Sequence, residues 1–186
     1  MKITMVTSNA GKAAEVAAFF NGLLEVDHVA LEVLEHRSSD IAEIARRKAQ
    51  YAYSQLNIPV IVDDTGFFID ALNGFPGTYA AFVLNSIGNA GILKLLEGVA
   101  DRNARFTTGI AYADEHDIQV FTGTLEGRIA RNPRGNNGFG YDPIFEVGRM
   151  TLAEISIEEK SRISHRAGAL SAFHDWFIME RGNNRE

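Results

Sequence analysis

The chain has 186 residues, 46% of them hydrophobic and 23% charged, which suits a soluble globular protein of one substantial domain or two small lobes sharing a core. It has no cysteine, which excludes disulfides, thiolate metal sites and a cysteine nucleophile and accords with a reducing compartment, the cytoplasm by default. A net charge of −6 without a long basic cluster argues against polymeric nucleic acid as a partner, although a few local cations or a metal can still draw a small anion.

The first residues, Met1 to Val6, are too short and too quickly polar for a signal peptide, and no apolar run reaches the length of a membrane span. Residues 2–7 read as a strand ending at Ser8-Asn9-Ala10-Gly11. A helix follows, with Val16, Phe19, Phe20 and Leu23 on one face, and residues 24–33 suggest a second strand. Asp40 with Glu43 three positions on resembles a capping box. The helix it opens carries Ile41, Ile44, Ala45, Ala49, Ala52 and Leu56, with Lys48 between its apolar and polar faces.

Pro59-Val60-Ile61-Val62 is a buried-strand candidate that ends at Asp63-Asp64, with Thr65-Gly66 expected to turn the chain. Gly74-Phe75-Pro76-Gly77 reads as a turn, and Tyr79 to Leu96 as one broken or two short helices. Residues 105–113 and 117–129 are expected to pair as antiparallel strands across a charged turn. A loop rich in glycine and asparagine spans 131–140, a short strand 144–147, and a last helix carries Leu170, Phe173, Phe177 and Ile178. Helices alternate with strands early and strands pair late, so the fold class is α/β of the mixed α+β kind. It is expected as a single domain, 1–186, with a twisted mixed sheet flanked by helices.

Four constellations carry chemistry. Asp63 and Asp64 repel one another when ionised, and a hard divalent cation holding a phosphate is an economical partner, though a solvated turn has the same composition. Thr7 to Lys12 opens a helix, where free N–H groups and the Lys12 ammonium favour an anion. It is not a Walker A loop, which wants glycine where Val6 stands, and taken alone the segment is more simply a plain capped helix. In Phe139-Gly140-Tyr141-Asp142-Pro143, two aromatics around a glycine can clamp a planar base and Asp142 can accept from ring N–H groups, or the segment is a packed core turn. Ser164 can cap the last helix and gather Lys160, His165 and Arg166 at its positive end. Cations there are unfavourable, which suggests an anionic or carbonyl-bearing ligand. The other histidines lack metal-type spacing, and no serine-hydrolase elbow is present.

In joint order these segments resemble the Ham1-like family of inosine triphosphate pyrophosphatases, from Thr7 to about Phe173. Gly74 to Tyr79 and Thr151-Leu152-Ala153-Glu154 belong to the same likeness. The resemblance implies two lobes with the active-site cleft between them, and Mg²⁺-dependent hydrolysis of ITP, dITP or XTP to the monophosphate and pyrophosphate. By that likeness Thr7, Ser8, Asn9, Ala10, Gly11 and Lys12 cradle phosphates, with Lys48 and Thr65 nearby. Asp64 is the general base and a metal residue, with Asp63 beside it and Glu35, or alternatively Glu32, as the helping metal carboxylate. Phe139, Gly140, Tyr141, Asp142, Lys160, His165 and Arg166 form the base pocket, where His165 and Arg166 are expected to donate to a 6-keto oxygen. Some relatives have a lysine or arginine where this chain has Ala80-Ala81-Phe82-Val83. The likeness also implies a homodimer, with the apolar stretch from Phe75 to Val83 as its candidate face. A Maf-like pyrimidine triphosphate pyrophosphatase and a non-catalytic nucleotide binder are the competing readings.

Overall fold

The computed structural model of the chain describes residues 2–33 and 38–183. Strand β1 (Lys2–Val6) lies between two parallel neighbours, β2 (Glu25–Val29) and β3 (Val60–Ile69). From β3 onward the pairing is antiparallel, through β5 (Asn103–Ala113), β6 (Ile118–Ile129), β7 (Phe145–Val147) and β8 (Met150–Thr151), while the two-residue β4 (Pro76–Gly77) sits on β3. The mixed sheet expected from the order of elements is present. β2 is shorter than the segment 24–33 suggested.

Helices cover both faces. Helix α1 (Ala10–Phe19) and the last helix, α5 (His165–Asn183), pack Val16, Leu170 and Phe173 against Ile3, Met5, Ile61 and Ile110. Phe20 joins that core, but Leu23 lies beyond α1 and is exposed, so the apolar face ends a turn earlier than its spacing suggested. Helix α2 (Ile41–Leu56) lays Ala45, Ala49 and Ala52 on the opposite face, against Val60, Val62 and Ala111. Small residues there let the helix approach the sheet closely.

The cap of α2 differs from a simple capping box. Asp40 accepts from the Ala42 N–H as expected, but the Asp40 N–H donates to Ser38 Oγ, whose hydroxyl donates to Glu43. Ser38 thus stands between the two residues that were expected to pair directly. Helix α3 (Ala80–Leu95) is broken as anticipated, at Gly88, whose φ of 64° and ψ of −173° interrupt the helical path. It covers a third core around Phe67, Phe106, Tyr141 and Phe145. A short helix, α4 (Ile157–Ile163), precedes α5.

The main departure from expectation is β3. It does not end at Asp63-Asp64; it pairs with β5 residue for residue from Val60 to Ile69. Thr65-Gly66 is therefore strand and not turn. Gly66 is needed because a Cβ there would fall 2.6 Å from the Phe68 ring and 3.1 Å from Ile41. Successive residues of a strand face opposite sides. Ile61 and Asp63 look toward α1 and α5, whereas Val62 and Asp64 look toward α2.

Candidate active site

A cleft of about 370 Å³ opens where the end of β1 and the middles of β3 and α2 meet the 139–142 segment and the start of α5. It brings together Thr7, Ser8, Asn9, Lys12, Lys48, Asp63, Asp64, Thr65, Phe139, Gly140, Tyr141, Asp142, Lys160, His165 and Arg166. Two positions of the anticipated phosphate loop, Ala10 and Gly11, are not among its lining residues. Glu35 lies outside the described residues, and its alternative Glu32 lines the cleft. Phe106, Thr78, Ala80 and Ala81 line it too, and sequence reasoning had not assigned them a role there.

At the α1 end, Asn9 caps the helix by accepting from the Lys12 N–H, and Thr7 Oγ1 accepts from the Asn9 N–H. The first N–H groups of a helix lack intrahelical acceptors, so those of Ala10 and Gly11 give this end its anion-favouring field. Gly11 has a further reason to be glycine. A Cβ would fall 2.5 Å from Phe139 Cδ1, so the ring of the 139–142 segment rests directly on the helix backbone.

The two acidic neighbours do different things. Asp64 accepts from the Lys48 ammonium on the α2 side. Burial pushes its carboxyl above the ordinary 3.8, and the pull of Lys12 and Lys48 in the other direction does not cancel this. On the opposite side, Asp63 receives Arg166 Nε at 3.0 Å and Nη2 at 2.9 Å, with Lys12 Nζ 3.2 Å from its other oxygen. Burial pushes Asp63 up as well, but Lys12 and Arg166 outweigh it and hold the carboxyl below 3.8. Asp63 and Asp64 thus face opposite sides of the strand, Asp63 as the counter-ion of Arg166 and Asp64 as the partner of Lys48. Among the described residues no three His, Asp or Glu side chains cluster as a metal cage.

Arg166 lines the cleft and is also held from within the protein. Besides its fork on Asp63, its Nη1 donates to Glu15 at 2.8 Å and its Nη2 to Thr65 Oγ1 at 3.2 Å. A guanidinium has five N–H groups, so four of them already have partners within the protein. Lys160 lies 3.3 Å from Glu15 and donates to Asp142 at 2.6 Å. Lys160 on α4 and Arg166 at the start of α5 therefore each meet two protein carboxylates. Glu15, 1% exposed, also accepts from Ser164 Oγ. It is the central residue that sequence reasoning missed. Its signal was a carboxylate at helical spacing between Gly11 and Phe19, on the inward face of α1.

Ser164 does cap α5, accepting from the Ala167 N–H. The start of α5 lies so close to β6 that a Cβ on Gly123 would fall 2.2 Å from the His165 carbonyl oxygen. His165 stacks on Phe106 with ring centroids 4.7 Å apart, and Thr108 Oγ1 lies 2.6 Å from its Nδ1. Burial, then Arg166, Lys160 and Lys12, hold its pKa well below 6.5, so the ring is neutral at pH 7.

Of the two aromatics expected to clamp a base, Phe139 has the Lys160 ammonium 4.3 Å above its ring. Tyr141 instead belongs to the core. It stacks on Phe67 at 4.4 Å, and its hydroxyl donates to the Ala80 carbonyl. Asp142 accepts from the Phe139 N–H and from Lys160, so its Oδ2 is engaged by the protein and not reserved for a ring N–H.

The fold and cleft define a mixed α/β protein in which an anion-favouring helix start shares one pocket with Phe139 and His165. The Ham1 family model matches residues 3–176, and the chain belongs to the Ham1 family. It is 48% identical to the dITP/XTP pyrophosphatase of Methanopyrus kandleri over 183 residues, covering 95% of this chain and 96% of that one. It is 46% identical to the dITP/XTP pyrophosphatase of Saccharolobus solfataricus over 181 residues, covering 95% and 93%. Among solved structures, the Ham1 protein of Staphylococcus aureus superposes with a TM-score of 0.81 at 33% identity, over 97% of this chain and all of that one. A HAM1 protein from Coxiella burnetii gives 0.83 at 32% identity, over 96% and 99%.

Proposed function

We infer that the protein hydrolyses non-standard purine nucleoside triphosphates, dITP and XTP foremost and ITP with them, to the nucleoside monophosphate and pyrophosphate. The observation that carries this reading is the meeting in one cleft of the α1 start, the Asp64–Lys48 pair and the Phe139–His165 recess. The names borne by relatives at 46–48% identity support it.

The α1 start and Lys12 bind the phosphate chain. Asp64 orients the attacking water and takes its proton as the water oxygen bonds to the α-phosphorus and pyrophosphate leaves. Lys48 holds the Asp64 carboxylate in place. Phe139 covers the base, and His165 contacts its edge. The donor set fits Mg²⁺: this ion is commonly held by one or two carboxylates plus substrate phosphates, and Asp64 and Glu32 face the same cleft. Asp64 with Glu35, or Glu32 in its place, would hold the ion, which when bound would supply charge to offset that of the departing pyrophosphate. A homodimer through the exposed Phe75, Tyr79 and Phe82 accords with the usual meaning of such a patch. Among the described residues no helix is long and apolar enough to cross a membrane. The lack of cysteine favours the cytoplasm as the working compartment.

The test is a hydrolysis panel of dITP, XTP, ITP, GTP, ATP and pyrimidine triphosphates, with and without Mg²⁺, reading pyrophosphate against phosphate. Pyrophosphate release selective for dITP and XTP, abolished in a folded Asp64→Asn protein, is expected. A pyrimidine preference, or full activity in Asp64→Asn, overturns it.

A further inference from the structure

Three side chains connect Arg166 to the wall of the cleft. Arg166 Nη2 donates to Thr65 Oγ1, Thr65 Oγ1 lies 2.6 Å from Thr108 Oγ1, and Thr108 Oγ1 lies 2.6 Å from His165 Nδ1. Thr65 and Thr108 face each other across β3 and β5, and His165 reaches Thr108 from the start of α5. Thr108 is fully buried, so no solvent enters the chain at its middle.

The direction of the hydroxyl protons follows from the end of the chain that cannot reverse. A guanidinium only donates. Thr65 Oγ1 must therefore accept from Arg166, and among the described residues Thr108 is the acceptor within reach of its own proton. Thr108 then accepts from Thr65 and passes its proton to His165 Nδ1. In the reverse direction Thr65 would accept twice and its proton would have no protein partner. A neutral imidazole that accepts at Nδ1 carries its hydrogen on Nε2. The ring lines the cleft, and Nδ1 is the nitrogen turned away to Thr108.

We propose that Thr108, set by Thr65 and Arg166, is a positioning residue that locks His165 as the Nε2–H tautomer, so that the cleft offers a fixed donor and selects ligands with an acceptor at that point. This inference rests on the nucleotide reading for the identity of the ligand, but the tautomer is a property of the free protein. A 6-keto purine presents such an acceptor, whereas a 6-amino purine presents N–H groups that would face the His165 N–H. A fixed donor is more selective than a hydroxyl, which turns to suit either, because a mismatched partner is left buried and unpaired. Arg166, with four N–H groups engaged inside the protein, thus acts on selectivity mainly through the two threonines.

The experiment uses the full chain labelled with ¹⁵N-histidine. Two-bond ¹H–¹⁵N spectra at pH 7.5 identify the tautomer of His165, whose signal is assigned by its loss in His165→Asn. The wild type is expected to show Nε2–H alone, Thr108→Ser to keep it, and Thr108→Val to show Nδ1–H or a mixture. In parallel, kcat/KM for dITP relative to dATP is expected to fall about tenfold in Thr108→Val, the loss of one oriented hydrogen bond, and to recover in Thr108→Ser. An Nδ1–H or protonated His165 in the wild type overturns the proposal, as does a pure Nε2–H signal in Thr108→Val. If Thr108→Val does not fold, the wild-type spectrum and the Thr108→Ser comparison still decide it. An Nε2–H signal in a protein that hydrolyses no triphosphate leaves the relay standing and refutes the proposed activity.

Discussion

Glu15→Gln is the most direct probe of what holds the cleft together. Six buried or half-buried groups alternate in sign along one line: Lys12, Asp63, Arg166, Glu15, Lys160 and Asp142, at 3.2, 2.9, 2.8, 3.3 and 2.6 Å between successive partners. Apart from Lys12, with 18% of its side chain exposed, no side chain in the row is more than 4% exposed. Glutamine keeps the shape of Glu15 but removes the central anion, so Arg166 and Lys160 each lose one of the two carboxylates named here. Removing one partner from a buried ion pair destabilises by about 3–5 kcal/mol. The lower end, about 3 kcal/mol, applies because Asp63 and Asp142 still hold the two cations. In a chain of this size each kcal/mol moves the unfolding midpoint by about 2–4 °C, so a drop of roughly 6–12 °C is expected by circular dichroism. The drop should persist at about 1 M salt, because dissolved ions screen buried pairs poorly. Lys2→Ala, which removes an exposed pair with Glu25 and Asp27, is the control and should leave the midpoint where it is. A Glu15→Gln midpoint within about 2 °C of the parent, or a loss that vanishes in salt, refutes the reasoning.

The depressed pKa of His165 makes stability depend on pH. Below 6.5 the unfolded imidazole binds a proton that the folded one refuses, so stability falls as pH drops through 6.5 and below. His165→Gln should flatten that slope in melts between pH 7.5 and 5.5, and an unchanged slope would show that His165 does not set it. Gly11→Ala should displace the Phe139 ring and lower kcat/KM for dITP by about 10- to 100-fold with the fold retained. Parent-like kinetics would mean that the ring position does not matter. Phe82, 71% exposed, heads the apolar patch. The parent should sediment as a dimer and Phe82→Asp as a monomer at micromolar concentration, and a monomeric parent would remove the patch from consideration.

Much of the fold was legible because it depends on local pattern. Asp40 opening α2, the break in α3 and the β5–β6 hairpin each rest on residues close together in the chain. The extent of β3 was not legible, since Thr-Gly reads as a turn until β5 is seen to pair with it along its whole length. The site divided in the same way. The right residues converge on the cleft, but their partners come from far along the sequence. Arg166 meets Asp63 and Glu15 across 103 and 151 positions, and no local spacing reveals which of its N–H groups are already taken. The core contact of Tyr141 was hidden for a similar reason: the ring it stacks on, Phe67, lies far away in the sequence, on β3.

The pleat of β3 has a consequence for how this family can vary. Neighbouring aspartates serve two separate layers, one toward α2 and one toward α1 and α5, and the assignment depends only on odd and even position. Inserting or deleting a single residue between Val60 and Asp63 would exchange the two sides, handing the position beside Lys48 to the counter-ion of Arg166. The strand should therefore tolerate changes of side chain far better than changes of length, and relatives that keep the activity should differ here by replacement and never by a gap.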